Sequence, residues 1–390
     1  MRSIYLDHAA TTPVHPEVIA AMLQYFRPLY GNASSVHGFG RQARIAIDKA
    51  RETVAKAIGA QPNEIYFTSG GTESDNIALM GVAEAQRDKG RHIITSSIEH
   101  HAILDTCAYL EKAGFEVTYL PVNADGLVSL TDVNAAIRPD TILISIGHAN
   151  NEVGTIQPIA EIGAIAKAHG VYLHTDAVQS FGTLPIDVNE MQIDLLSLSG
   201  HKIYGPKGIG ALYVRRGTRV HPIQHGGGQE RKLRPGTENV PGIVGLAKAV
   251  ELAMQEMAAR TEHMTRLRDK LIAGLMAVPE VKLNGHPEKR LPGNVNVSVK
   301  YVEGESLILS LDLRGIAVSS GSACTSGSLD PSHVLIAMGL DHLQAHGSLR
   351  LTLGRDTSEA DIDYVIEVFP QVVEKLRAMS PLYNRLEKQE

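Results

Sequence analysis

What the chain has little of narrows it first. It holds two cysteines, Cys107 and Cys324, in 390 residues. Two thiols make no disulfide framework, so a reducing cytosol is expected. No apolar run approaches the roughly 20 residues that cross a bilayer. The stretch Met1-Arg2-Ser3-Ile4-Tyr5-Leu6-Asp7 lacks the apolar core of a secretory leader. A cytoplasmic protein with no membrane partner is therefore expected. Long basic runs are absent, and 37 Lys and Arg against 43 Asp and Glu leave a formal charge of −6, which speaks against direct nucleic-acid contact. There is no Cys-x-x-Cys and no His-Glu-x-x-His. Two histidine pairs have four-residue spacing, His221/His225 and His342/His346, but the first spans Pro222 and runs into three glycines. No resident metal is expected. Gly-x-Gly-x-x-Gly is missing, which disfavours a dinucleotide site.

The 390 residues exceed one ordinary core, and 43% hydrophobic with 21% charged residues suits a globular chain of two domains. No repeat or low-complexity segment interrupts it. Short runs rich in Ile, Val, Tyr and Leu read as strands at residues 64–68, 92–96, 116–120, 141–146, 171–175 and 194–198. Amphipathic stretches at 40–58, 74–89, 102–113 and 159–169 read as helices between them. That alternation implies an α/β fold with a mostly parallel central sheet and helices on both faces. After a helical stretch at 240–275 the pattern changes. Strands at 295–299 and 349–353 mix with helices at 305–313, 332–338 and 358–379, as in a smaller α+β domain. A large domain over 15–259 and a small one over 260–390 are expected.

The chemistry-bearing residues fall where strands end. Ser199-Gly200-His201-Lys202 follows an apolar strand and precedes a glycine-rich loop. A lysine at a strand end in a polar pocket is a candidate Schiff-base nucleophile. Thr68-Ser69-Gly70-Gly71-Thr72 joins a strand to a helix, where unpaired N–H groups and the helix dipole can cradle an anion. No Gly-Lys-Ser/Thr follows, so it is not a P-loop. Asp176 ends a strand, where a carboxylate can hold a protonated ring nitrogen or cap a helix. Asn151 lies just past another strand and can donate to a phenolate oxygen or close a turn. His100 suits an imidazole laid over a flat cofactor, and equally a buried core histidine. Cys324 sits in a run of small polar residues, Ser319 to Ser328, which favours thiolate chemistry over packing. Cys107, on an amphipathic helix, reads as inert. Arg350 alternates with apolar residues on a strand and suits a bidentate carboxylate pair, with substrate or internal.

Together these segments resemble the pyridoxal-phosphate-dependent cysteine desulfurases of the NifS/IscS type, in the class V aminotransferase group. The resemblance runs nearly end to end. It is carried by residues 5–13, Gly31-Asn32-Ala33-Ser34, 68–76, 148–154, 199–214, Arg234-Pro235-Gly236-Thr237-Glu238-Asn239 and Ser320-Gly321-Ser322-Ala323-Cys324-Thr325. The last segment looks like the branch with a longer cysteine loop; Arg-x-Gly-His-His-Cys of the other branch is absent.

The resemblance implies the type I fold of pyridoxal-phosphate-dependent transferases, with residues 1–14 joined to the small domain. It implies Lys202 as the Schiff-base lysine, Asp176 at the pyridine nitrogen, Gln179 and Asn151 at the phenolic oxygen, and His100 over the ring. Gly71, Thr72, Ser199 and His201 would hold the phosphate, helped by Thr237 of a second subunit. Asn32 and Arg350 would take the substrate carboxylate. Cys324 would accept sulfur from L-cysteine as a persulfide, releasing L-alanine, and could transiently ligate a cluster shared with a scaffold. A homodimer is implied, delivering sulfur to an iron–sulfur scaffold or a tRNA-thiolation protein. Selenocysteine lyase or another class V aminotransferase are the alternatives; the cysteine loop argues against an aminotransferase, which needs no thiol.

Overall fold

The computed structural model describes residues 3–320, 331–380 and 383. Cys324 lies outside them. The chain opens with β1 (Ile4–Tyr5), α1 (Pro16–Leu23) and α2 (Gly38–Ala57). Then β2 (Ile65–Thr68), α3 (Gly71–Ala85), β3 (His92–Ser96), α4 (His101–Lys112), β4 (Glu116–Leu120) and α5 (Leu130–Ala136) follow. Next come β5 (Thr141–Ser145), α6 (Ile159–Ala168), β6 (Tyr172–Asp176), β7 (Leu195–Ser199), β8 (Gly210–Val214) and the long α7 (Val240–Met276). The last third contains β9 (Val281–Leu283), β10 (Asn294–Val299), α8 (Gly304–Asp312), β11 (Ile316–Ala317), α9 (His333–Ala337), α10 (His342–His346), β12 (Ser348–Thr352) and α11 (Glu359–Met379).

Successive side chains on a strand point to opposite faces. Neighbours Ile93 and Ile94, Leu143 and Ile144, and Leu195 and Leu196 accordingly divide between two apolar cores, one on each side of the sheet. Residues of α3 and α4 complete one core; those of α2, α6 and α7 complete the other. The seven strands run in the order β2-β8-β7-β6-β5-β3-β4. Only β8 is antiparallel to its neighbours, β2 and β7. This is the mostly parallel α/β sheet that the alternating pattern predicts. Its strand order reverses at β3, which lies between β4 and β5, the crevice where such sheets bind ligands.

A further core gathers Leu267, Leu271 and Leu275 of α7, the antiparallel sheet β12-β10-β9, α8 and α11. Ile4 and Leu6 belong to it, because β1 pairs in parallel with β11 and Asp7 bridges to Thr352. The helix expected from Ser74 begins at Gly71 instead. Among the described residues no helix is long and apolar enough to cross a membrane, and no group of three or more metal-ligating side chains gathers.

Ahead of α7 the backbone is strained. Glu230, Arg231 and Lys232 have φ of 42°, 55° and 70°. Each such residue costs about 1–2 kcal/mol without glycine. Buried contacts hold the turn: the Glu230 carboxylate makes two 2.7 Å bonds with Arg51 and accepts the Phe67 N–H at 2.9 Å. Lys232 is exposed, with no such anchor to lose. Lys232→Gly is therefore expected to raise stability by about 0.5–1 kcal/mol after the entropy of a freer unfolded chain is subtracted. A higher denaturant midpoint with unchanged slope is the result to look for; a lower midpoint contradicts the strain.

Candidate active site

The carboxyl ends of β2, β3, β5, β6 and β7 open onto one cavity of about 300 Å³. Each strand end contributes through its own turn. After β2, the chain enters α3 at Gly71 and Thr72, and both line the cavity. The backbone is close-packed here. A Cβ on Gly210 would lie 2.7 Å from the Gly70 Cα, and one on Gly71 would lie 2.7 Å from a Val178 methyl. Alanine at position 71 would therefore require Val178 to shift. Glu73 secures the turn by accepting the Ser69 N–H at 2.5 Å and Arg234 Nε at 2.9 Å. The free N–H groups of α3 are left to face an anion.

Beyond β7, Ser199, His201 and Lys202 line the same cavity. The Lys202 amine donates to the carbonyls of Ala9 at 2.5 Å and Ala10 at 2.8 Å. His201 Nδ1 lies 3.1 Å from Thr11 Oγ1. Burial, with Lys202 and Lys207 nearby, lowers the His201 pKa to about 4. It is neutral at pH 7 and would hold an anion by hydrogen bonding rather than by charge.

Asp176 ends β6 and accepts the Val178 N–H at 2.8 Å. Burial raises its pKa, and the Val178 N–H, His100 and Lys202 oppose that rise. Gln179 donates to the Ala9 carbonyl at 3.0 Å. His100 caps α4 through Nδ1, which accepts the Ala102 N–H at 3.1 Å. Burial lowers its pKa despite the nearby Asp176. Arg350 reaches the cavity from β12, 2% exposed. One of its nitrogens pairs with Asp7 at 3.0 Å and another donates to the Asn151 carbonyl at 3.1 Å. Among the described residues its buried Nε has no partner.

Of the residues singled out from sequence, Gly71, Thr72, His100, Asn151, Asp176, Gln179, Ser199, His201, Lys202 and Arg350 all line this cavity. Two do not. Asn32 is exposed and its Oδ1 accepts the Ser34 N–H. Thr237 is exposed on the segment before α7. Cys107 is fully buried, and burial pushes its thiol up to about 12. Sequence reasoning missed two buried carboxyls in the cavity wall, Asp75 and Glu99. Burial raises both, Glu99 to about 8. Asp75 lies three residues after Thr72, one helical turn into α3, and that spacing could have flagged it.

This donor set fits pyridoxal phosphate. A helix N-terminus with Ser199 and His201 suits the phosphate, a lysine amine suits the aldehyde, and a buried carboxylate suits the ring nitrogen.

The comparisons with known proteins agree. The aminotransferase class-V family matches residues 4–365. The cysteine desulfurase IscS of Methanosarcina thermophila is 60% identical over 381 residues, covering 98% of this chain and 94% of that protein. A solved NifS-like protein superposes with a TM-score of 0.91 at 42% identity, covering 96% of this chain and 100% of its own. SspA, solved in complex with cysteine, superposes with a TM-score of 0.80 at 44% identity, covering 90% and 99%. With lysine, carboxylate and anion cradle at the strand ends of a fold shared with these proteins, the chain belongs to the class-V aminotransferase family, among its NifS/IscS-type cysteine desulfurases.

Proposed function

We propose that this chain takes sulfur from L-cysteine, leaves L-alanine, and carries the sulfur as a persulfide on Cys324. The observation that carries the reading is the meeting of Lys202, Asp176, His100 and Arg350 in one cavity. Lys202 would hold pyridoxal phosphate covalently. Gly71, Thr72, Ser199 and His201 would hold its phosphate, and Asp176 its ring nitrogen. Asn151 and Gln179 would bond its phenolic oxygen. When bound, the cofactor supplies an electron sink for the carbanion at the substrate Cα.

The side chains do the rest. Arg350 takes the substrate carboxylate with its planar fork; its orphaned Nε is a donor in waiting. Asn32 completes that grip in the proposed assembly. The Lys202 amine would remove the Cα proton of the bound substrate, and His100 would assist proton movement beside it. The Cys324 thiolate attacks the substrate sulfur. The S–S bond forms as the Cβ–S bond breaks, and the electron pair left on carbon is protonated on the way to alanine.

The proposed assembly is a homodimer, with Thr237 reaching the phosphate of the other subunit. Thr237 and Asn32 are exposed in the single chain, which supports a role across an interface. An exposed apolar group near Asn32, with Leu23, Phe26, Tyr30, Val36 and Phe39, supports the same reading. The two apolar cores joined along α7 support domains at 15–259 and 260–390, with residues 1–14 joining the second. A cytoplasmic setting and a sulfur-accepting protein, an iron–sulfur scaffold or a tRNA-thiolation protein, complete the proposal.

Incubation with L-cysteine tests it. Alanine is expected in step with sulfide or transferred sulfur, and the intact protein should gain the mass of one or more sulfur atoms. Pyruvate in place of alanine, or no added mass, rejects it.

A further inference from the structure

Lys202, with Ala9 and Gln179, also lines a second, smaller cavity, here termed the rear cavity. It measures about 70 Å³, and its walls include Lys202, His8, Thr183, Tyr204, Arg260 and Thr352. About 10–15 Å³ of such space admits one water, provided polar partners are present. This space also touches Met264, Leu291 and Leu353, but it carries enough polar groups and is large enough for a short chain of waters. His8 also lines a third cavity, an outer cleft of about 530 Å³ whose walls include Lys207, Asp356 and Asp361. The His8 imidazole thus stands between the rear cavity and the surface.

We propose that His8 is a proton-relay residue, which exchanges the Lys202 ammonium proton with solvent through the rear cavity. This rests on the reading above, in which Lys202 takes the Cα proton of cysteine. Lys202 gives a proton to a cavity water. That water passes one to His8 Nε2, and Nε2 releases it to water in the outer cleft. The reverse passage brings a solvent proton back to the Lys202 amine, so no bond other than N–H and O–H changes and His8 ends neutral.

The ring is built for this. Its Nδ1 lies 2.9 Å from the Thr352 carbonyl, an acceptor, so Nδ1 carries the hydrogen and Nε2 keeps the lone pair. Gly354 makes room at that nitrogen: a Cβ there would overlap the ring at Nε2. Burial lowers the His8 pKa, opposed by the Thr352 bond and the nearby Asp356 and Asp7, so the ring passes on a proton that it receives rather than keeping it. Charge also falls in the outward direction. Arg260, 8% exposed and bonded to the Gly182 carbonyl, stands inside, whereas Asp356 and Asp361 with Lys207 stand at the mouth. An excess proton is repelled inside and attracted outward.

The test follows the proton. Cysteine deuterated at Cα is turned over in ordinary water, and the deuterium kept at carbon in the alanine is measured by mass spectrometry. The wild type should lose most of it, because Lys202 exchanges before it returns a proton. His8→Asn keeps an N–H toward Thr352 but has no basic nitrogen, and should retain about tenfold more deuterium. Thr183→Leu, which leaves His8 in place and fills the cavity, should act in the same direction. A crystal structure of the protein, with or without cofactor, should show ordered water between Lys202 Nζ and His8 Nε2. If the wild type neither forms alanine nor exchanges its Cα hydrogen, the desulfurase reading itself fails and the relay with it. If it does both, and the two variants retain no more deuterium than wild type or the cavity is dry, the relay alone is wrong.

Discussion

Lys202→Ala is expected to lower alanine formation on the order of 10⁴-fold, because in the proposed mechanism one amine serves as both cofactor anchor and base. A loss of that size corresponds to about 5–6 kcal/mol of transition-state stabilisation. Some stability goes as well. The Ala10 carbonyl loses the amine as its donor, whereas the Ala9 carbonyl keeps Gln179, so the cost is about 1–3 kcal/mol for the one group left unpaired. Lys202→Arg separates the two effects. Its guanidinium can still reach the carbonyls but stays protonated, so it restores fold and not turnover. Hydride reduction of the loaded wild type should fix the cofactor on the peptide that contains Lys202. Turnover by Lys202→Ala within tenfold of wild type would remove the lysine from the mechanism.

Cys324→Ser is expected to abolish turnover while folding and cofactor loading persist. The hydroxyl is nearly isosteric but hardly ionises at neutral pH, so it cannot attack sulfur. The variant should still change its spectrum on adding cysteine, because the proposed substrate grip lies on Arg350 and not on Cys324. Cys107 is the internal control. It is buried among apolar neighbours and its thiol is pushed up to about 12. Cys107→Ser should keep turnover and lose about 1–3 kcal/mol of stability for an unpaired buried hydroxyl. The sulfur gained on treatment with cysteine should map to the Cys324 peptide. Mapping to Cys107, or normal turnover by Cys324→Ser, would overturn the persulfide route.

Much of the site was legible because its parts are local. A strand end, a glycine turn and a helix start are contiguous in sequence, so Thr72, Asp176 and Lys202 could each be placed at a strand's carboxyl end before any contact was known. Their meeting followed from parallel strands, which bring those ends to one edge. Strand direction was less legible. The glycine-rich segment after Lys202 leads into β8, whose antiparallel course between β2 and β7 depends on long-range pairing. The three-stranded sheet and the Asp7–Arg350 ion pair, 343 residues apart, were hidden for the same reason. Glu99 carries no local mark of burial, since charged residues are usually solvated, and Asp75 only its spacing of one helical turn from Thr72. Asn32 and Thr237 show the converse: motifs can single out residues that one folded chain leaves outside the cavity.

The pairing of the N-terminal segment with the last third of the chain also bears on biosynthesis. Residues 4–9 are translated about 300 residues ahead of their partners at 315–317 and 352. Thr12 and His15 meet His201 and Tyr204, so until β12 is made the segment is held to the large sheet alone. That sheet can be complete in the nascent chain while Arg350, which enters the cavity from β12, is still missing. The proposed grip on substrate thus becomes a late event, reserved for chains translated through β12.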